Sequence, residues 1–126
     1  MNYLKVKQYG MDFDIVIEVE HYVHGNGLAL QLYCVEGDYL EPYATLTVNL
    51  ERYPTSGDRA FVDTTDFPGA HDFIVKNKLG KPTGRIGMSG YCTYAEYEFD
   101  RNEIAKYELR PEPIGEKASH SKDTAR

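Results

Sequence analysis

The stretch DFDIVIEVEHYVHGNGLALQLYCV, residues 12–35, decides the fold. Phe13, Ile15, Ile17 and Val19 alternate with Asp12, Asp14, Glu18 and Glu20, and Val16 interrupts the polar set. A period of two places the sets on opposite faces of a pleated ribbon, so the segment reads as a half-buried strand. Gly25, Asn26 and Gly27 tolerate left-handed backbone and mark a turn. Beyond it Leu28, Leu30, Leu32 and Cys34 alternate with Ala29, Gln31, Tyr33 and Val35, which predicts a hairpin whose second strand has the less polar outer face.

Working outward, EGDYLEPY (36–43) is rich in turn formers and reads as a loop. ATLTVNL (44–50) predicts a third strand, with Ala44, Leu46, Val48 and Leu50 inward and Thr45, Thr47 and Asn49 outward. Pro54 and Gly57 break the chain before AFVDT (60–64), a β-favouring fourth strand. Pro68 before and Gly80 after an apolar set of Phe73, Ile74 and Leu79 predict one helix over about 70–79. KPTGRIGMSG (81–90) reads as a loop leading into a strand near Arg85 to Met88. YCTYAEYEFD (91–100) alternates again, with Tyr91, Thr93, Ala95, Tyr97 and Phe99 on one face. RNEIAKYEL (101–109) is open between a short helix and a last strand, and a cap-like Asn102 favours the helix. The expected class is α+β: a mainly antiparallel, twisted sheet of about five or six strands with one main helix on it. Residues 1–110 are expected to form a single domain, and 111–126, with two prolines and one large aliphatic residue, a flexible tail.

A length of 126 residues fits one domain with one core. No apolar run approaches the roughly 18 residues of a membrane helix, and the opening MNYLKVKQYG lacks a signal-peptide core, so a cytoplasmic protein with no membrane partner is expected. Cys34 and Cys92 belong to no CxxC pair and read as two buried thiols. His21 and His24 stand three apart with no third ligand in sight, so neither a metal nor any other cofactor is expected.

Charge is distributed unevenly. Residues 8–51 carry eight acids (Asp12, Asp14, Glu18, Glu20, Glu36, Asp38, Glu41, Glu51) and no base. Side chains two apart on one strand face stand about 6.6–6.8 Å apart, close to the spacing of phosphates along a nucleic-acid strand. Such a carboxylate ladder suits a basic groove built for DNA or RNA, although acids on a half-exposed strand also serve simply as a solvated face. Residues 73–95 reverse the sign, with Lys76, Lys78, Lys81 and Arg85 and no acid. These cations satisfy a helix C-terminus; alternatively, with Tyr91 and Tyr94 as stacking platforms, they contact a single-stranded nucleic acid directly. Of the chain's eleven tyrosines, Tyr39, Tyr43 and Tyr53 lie in turn-rich segments where they suit a protein-binding surface. No nucleophile elbow, HExxH or P-loop is present, and neighbouring His71 and Asp72 diverge by about 100° on a helix, so an enzyme is not expected.

Three blocks carry a family resemblance: LALQLYCVEGDYLEPYATLTVNL (28–50), AFVDTTDFPGAHDFI (60–74) and KLGKPTGRIGMSGYCTYAEYEFD (78–100), the last containing the pattern PTGRxGxSGxCxYxxYxF. Across roughly residues 28–100 the chain resembles a family of small acidic domains of unknown function found in bacteria and on their mobile elements. The resemblance implies a setting among accessory genes of conjugative elements and phages, near anti-restriction and other counter-defence functions including inhibitors of CRISPR effectors. It implies no catalytic residues. The expected function is therefore a non-enzymatic accessory protein that binds and inhibits a host defence protein, such as a CRISPR nuclease or restriction enzyme, through Asp12, Asp14, Glu18, Glu20, Glu36 and Asp38 with Tyr39 and Tyr43 as anchors. The alternative is an RNA or single-strand binding module using Lys76, Lys78, Lys81, Arg85, Tyr91 and Tyr94. A homodimer stays open.

Overall fold

A computed structural model describes residues 2–23 and 27–109. The central turn Gly25-Asn26 and the expected tail at 111–126 lie outside the described residues. Among the described residues eight strands and two short helices follow one another: β1 (Leu4–Gln8), β2 (Met11–His21), β3 (Leu28–Glu36), β4 (Tyr39–Thr45), β5 (Thr47–Val48), β6 (Arg59–Val62), α1 (Ala70–Lys76), β7 (Gly80–Ser89), β8 (Cys92–Phe99) and α2 (Arg101–Ala105). The strands make two antiparallel sheets, ordered β1-β2-β3-β4 and β5-β6-β8-β7. The expectation of one sheet of five or six strands under one main helix is corrected on both counts.

The quoted hairpin forms as its alternation requires, with Ile15 opposite Cys34 and Ile17 opposite Leu32. Ile15, Ile17, Leu28, Leu30 and Leu32 are each no more than 1% exposed. They meet Ala60, Val62, Tyr97 and Phe99 of the second sheet, Phe73 and Ile74 of α1, and Ile104 of α2 in one core.

The second sheet begins where the first ends. The Leu46 amide donates to the Leu30 carbonyl at 2.9 Å, while its own carbonyl accepts from Asp63 N–H at 2.9 Å, so one residue belongs to both ladders. The expected strand 44–50 is thus divided, its start in β4 and its continuation in β5. Thr47, expected outward, is 1% exposed because its hydroxyl accepts from Leu30 N–H and bonds Tyr22 Oη, both at 3.0 Å.

Two strands lie where loops or nothing were expected. Tyr39–Thr45 pairs with β3 through a register shift at Leu32/Tyr33. Leu4–Gln8 pairs with β2, turning back through Tyr9 (φ 54°) and Gly10 (φ 77°), both left-handed as a two-residue hairpin loop demands. The helix ends at Lys76 and not near residue 79; Lys78 (φ 58°) takes the left-handed position after it. Gly80 already belongs to β7, where a Cβ would lie 2.8 Å from the Glu98 carbonyl oxygen. In 101–109 the helical alternative holds, and its cap is Asp100 in place of the expected Asn102: the Asp100 carboxylate accepts from Asn102 N–H (3.0 Å) and Glu103 N–H (3.1 Å). After α2, the Tyr107 carbonyl and Leu109 amide bond Ile17, so the chain lies beside β2 just past the end of β1.

The first sheet is strongly curled. Tyr43 of β4 reaches Gln8 of β1, Oη to Oε1 at 2.7 Å, and its ring lies 6.2 Å from that of Phe13, so opposite edges of the sheet come together. Among the described residues no helix is long and apolar enough to cross a membrane.

Candidate protein-binding surface

The expected carboxylate ladder does share one face of β2, but the structure breaks it in two. β1 sets Lys7 directly opposite Asp12 and Lys5 opposite Asp14, and Lys5 and Asp14 form an ion pair. These lysines precede the acidic interval in sequence, and Lys5 neutralises part of it in space. Further along, Val16 is 1% exposed and Glu18 is buried, with Glu18 accepting from Tyr33 Oη at 3.3 Å; Glu20 is half-buried. Only Asp12 of the four is exposed.

A different grouping emerges at the end of the meander. β1 and β3 run toward this end and β2 and β4 run away from it, so the Tyr9-Gly10 and Gly37-Asp38 turns lie side by side. Exposed on them are Tyr9 (89%), Tyr39 (75%), Met11 and Leu40. Exposed among these are Asp12, Glu36, Asp38 and Glu41. Their proximity is felt by Cys34, whose thiol is pushed up first by burial and then by the charges of Glu36, Glu41 and Asp14. The expected residues Asp12, Asp14, Glu36, Asp38 and Tyr39 therefore gather at one end, while Glu18 and Glu20 lie away along β2. Tyr43 packs inward, half-buried between Phe13 and Phe67. Reasoning from the sequence missed Tyr9, Met11, Leu40 and Glu41. A signal for the first two existed in YG before the alternating strand, which is a hairpin turn once Leu4–Gln8 is seen to alternate as well.

The basic segment is spread over α1 and β7. Lys76 and Lys78 are exposed at the end of α1, and Lys81 stands opposite Glu98, which also meets Arg59 at 3.8 Å. Arg85 is held: Nη1 donates to the Pro54 carbonyl (2.8 Å) and to Glu96 Oε2 (3.0 Å), and its guanidinium lies 5.5 Å from the Phe61 ring centroid. Glu96, 1% exposed, also accepts from Thr83 Oγ1 at 2.7 Å. A buried carboxylate needs such partners, so Arg85 serves the fold at this point. Tyr94 is half-buried and Tyr91 fully exposed. The two cysteines divide: Cys34 is buried as expected, whereas Cys92 is exposed because the outer end of the β7-β8 hairpin extends past the core. Among the described residues no three His, Cys, Asp or Glu side chains converge as a metal site.

The fold and surface define a small mixed domain of two antiparallel sheets joined at Leu46, with one acidic and aromatic end. The chain belongs to the DUF4313 family, a domain of unknown function, whose model matches residues 16–114. The match runs past the expected 28–100 on both sides. It begins inside β2, so it includes Glu18 and Glu20 but not Asp12 and Asp14. No curated protein and no solved structure matches the chain.

Proposed function

We propose that this domain is a non-enzymatic binding protein whose meander end docks into a basic, nucleic-acid-binding groove of a defence enzyme, a CRISPR nuclease or a restriction enzyme, and inhibits it by occupying that groove. The observation that carries this reading is Tyr9. It holds left-handed backbone at φ 54°, a conformation costly for a bulky residue, while 89% of its surface faces solvent. Folding gains no packing from this tyrosine, whereas a binding surface gains a large, rigid contact at low entropic cost. Tyr39, Met11 and Leu40 supply further apolar area, and Asp12, Glu36, Asp38 and Glu41 match a cationic groove and speed encounter with it. The setting implied by the family resemblance supplies the class of partner.

The test is direct binding and cleavage inhibition against a panel of CRISPR nucleases and restriction enzymes, with and without their nucleic acid. Competition between this chain and the nucleic acid is expected. Tyr9→Asn creates the preferred Asn-Gly turn and should stabilise the domain by about 0.5–1 kcal/mol while weakening partner binding at least tenfold. Simultaneous charge reversal of Asp12, Glu36, Asp38 and Glu41 that leaves every detected affinity unchanged would sink the reading. A low-salt gel shift with single-stranded RNA separates it from direct nucleic-acid binding through Lys76, Lys78, Lys81 and Tyr91, which would weaken steeply with added salt.

A further inference from the structure

A cleft of about 540 Å³ opens on the opposite side of β1 from β2. Four consecutive residues of β1, Lys5 to Gln8, line it. Successive side chains of a strand point to opposite faces, so four in a row line one cleft only where the strand presents its edge. The facing wall is one side of α1, at Asp72, Phe73, Lys76 and Asn77, and the base is Tyr43, Phe67 and Pro68. β1 is the terminal strand of its sheet, with β2 on one side only. The backbone bonds among the described residues include none that satisfies its outer edge. Unpaired amides and carbonyls in a row are a template for one more strand.

We infer that this cleft binds an extended peptide segment of a partner protein, added as a fifth strand to β1, in which acidic and aliphatic residues alternate. Geometry sets the alternation. Lys5 and Lys7 lie on one face of β1, and Val6 lies on the other, packed against the core beside Phe67 and Phe73. A strand laid along β1 presents its own alternate residues to those same two faces. Charge sets the sign: Lys7 and Lys76 on the rim form no ion pair among the described residues, and β2 shows the pairing on the other side, where Asp12 and Asp14 stand opposite Lys7 and Lys5. Asp66 and Asp72 also line the cleft, Asp66 accepting from Thr45 N–H at 2.7 Å, so the excess of positive charge lies on the Lys5 and Lys7 face and at Lys76, and the acidic residues of the partner belong there. A second copy of β1 fits less well, since its lysines would confront these. The five residues of β1 give a run of about 14 Å, enough for five residues of a partner.

The probes are three blocked hexapeptides, Glu-Val-Glu-Val-Glu-Val, Lys-Val-Lys-Val-Lys-Val, and the first with its central Val replaced by Pro, titrated into the full chain and followed by amide NMR shifts. The acidic peptide is expected to saturate with the largest shifts at Lys5 to Gln8, and the Lys7→Glu, Lys76→Glu double variant to weaken it roughly tenfold. Lys7 and Lys76 are exposed, and although Lys7→Glu sets a like charge opposite Asp12, the fold is expected to survive the exchange, with an unchanged circular dichroism spectrum as the check. The basic and the proline peptides should not saturate. Absence of saturable binding, equal binding of the proline peptide, indifference to the double reversal, or a peptide-free dimer dissolved by that reversal would each overturn the inference. Shifts confined to Tyr9, Met11 and Tyr39 would do so too, and would leave the meander end as the only binding surface.

Discussion

Cys34 and Cys92 show how position on one kind of strand sets the chemistry of a side chain. Burial holds the Cys34 thiol above its ordinary value of 9.0, and the charges of Glu36, Glu41 and Asp14 hold it higher. The folded chain thus keeps this proton longer than the unfolded chain. The stabilisation is complete below about pH 9 and is lost as pH rises through the folded value, since the unfolded state then binds fewer protons. Urea midpoints should fall above pH 9 in the native sequence. In Cys34→Ala they should stay level to about pH 10, where Tyr43 and Tyr97, both raised by burial, begin to contribute. At pH 8 iodoacetamide should alkylate exposed Cys92 well before Cys34, as peptide mapping over time would record.

At the scale of the element, α2 depends on its cap. Its five residues are too few to persist without packing, and Asp100 satisfies two of its free amides. Asp100→Ala should cost about 1 kcal/mol. Because α2 carries Ile104 into the core and leads the chain to Ile17, the same change should speed hydrogen exchange at the Ile17 and Leu109 amides, which bond that segment. Unchanged exchange there would show that residues 107–109 dock independently of the helix. Elements legible in the sequence are those whose pattern is long and local: β2 with nine alternating residues, β3, β8, and α1 at its start. β1 escaped because Lys5 and Lys7 look like solvent-facing charge until β2 brings Asp12 and Asp14 across from them, and because its turn uses a tyrosine where glycine or asparagine is usual. β4 escaped because Gly37 and Asp38 do form a turn just before it and because Pro42 is a turn former, tolerated here on an edge strand.

The whole molecule turns on the passage from one sheet to the other. No alternation announces it, since Ala44, Leu46 and Val48 keep step through the bend, and only the partners of Leu46 reveal it. Thr47 secures the passage by linking β3 and Tyr22 to the second sheet. Thr47→Val keeps the volume but strands the Leu30 amide, and should cost about 1–3 kcal/mol. Far-UV and near-UV circular dichroism should still give one coincident urea transition, because both sheets share one core. Separate transitions would mean that the sheets fold as two units. The acidic end is a whole-molecule property for the same reason: the sequence placed five of its acids and tyrosines, but their assembly needed the parity of strand directions.

The curl of the first sheet also limits how molecules of this kind can join. β1 and the end of β4 border the same cleft. On the second sheet β5 is two residues long, and β7 carries Lys81, Pro82 and a register break. A flat sheet has two open sides, and each monomer added to it leaves another open side behind, which is how fibres grow. On the inference drawn above, a strand added to β1 also fills the space beside Tyr43 and Ala44 at the end of β4. Whatever fills the cleft terminates the chain reaction, so complexes through this edge should stop at a defined one-to-one size even at high concentration.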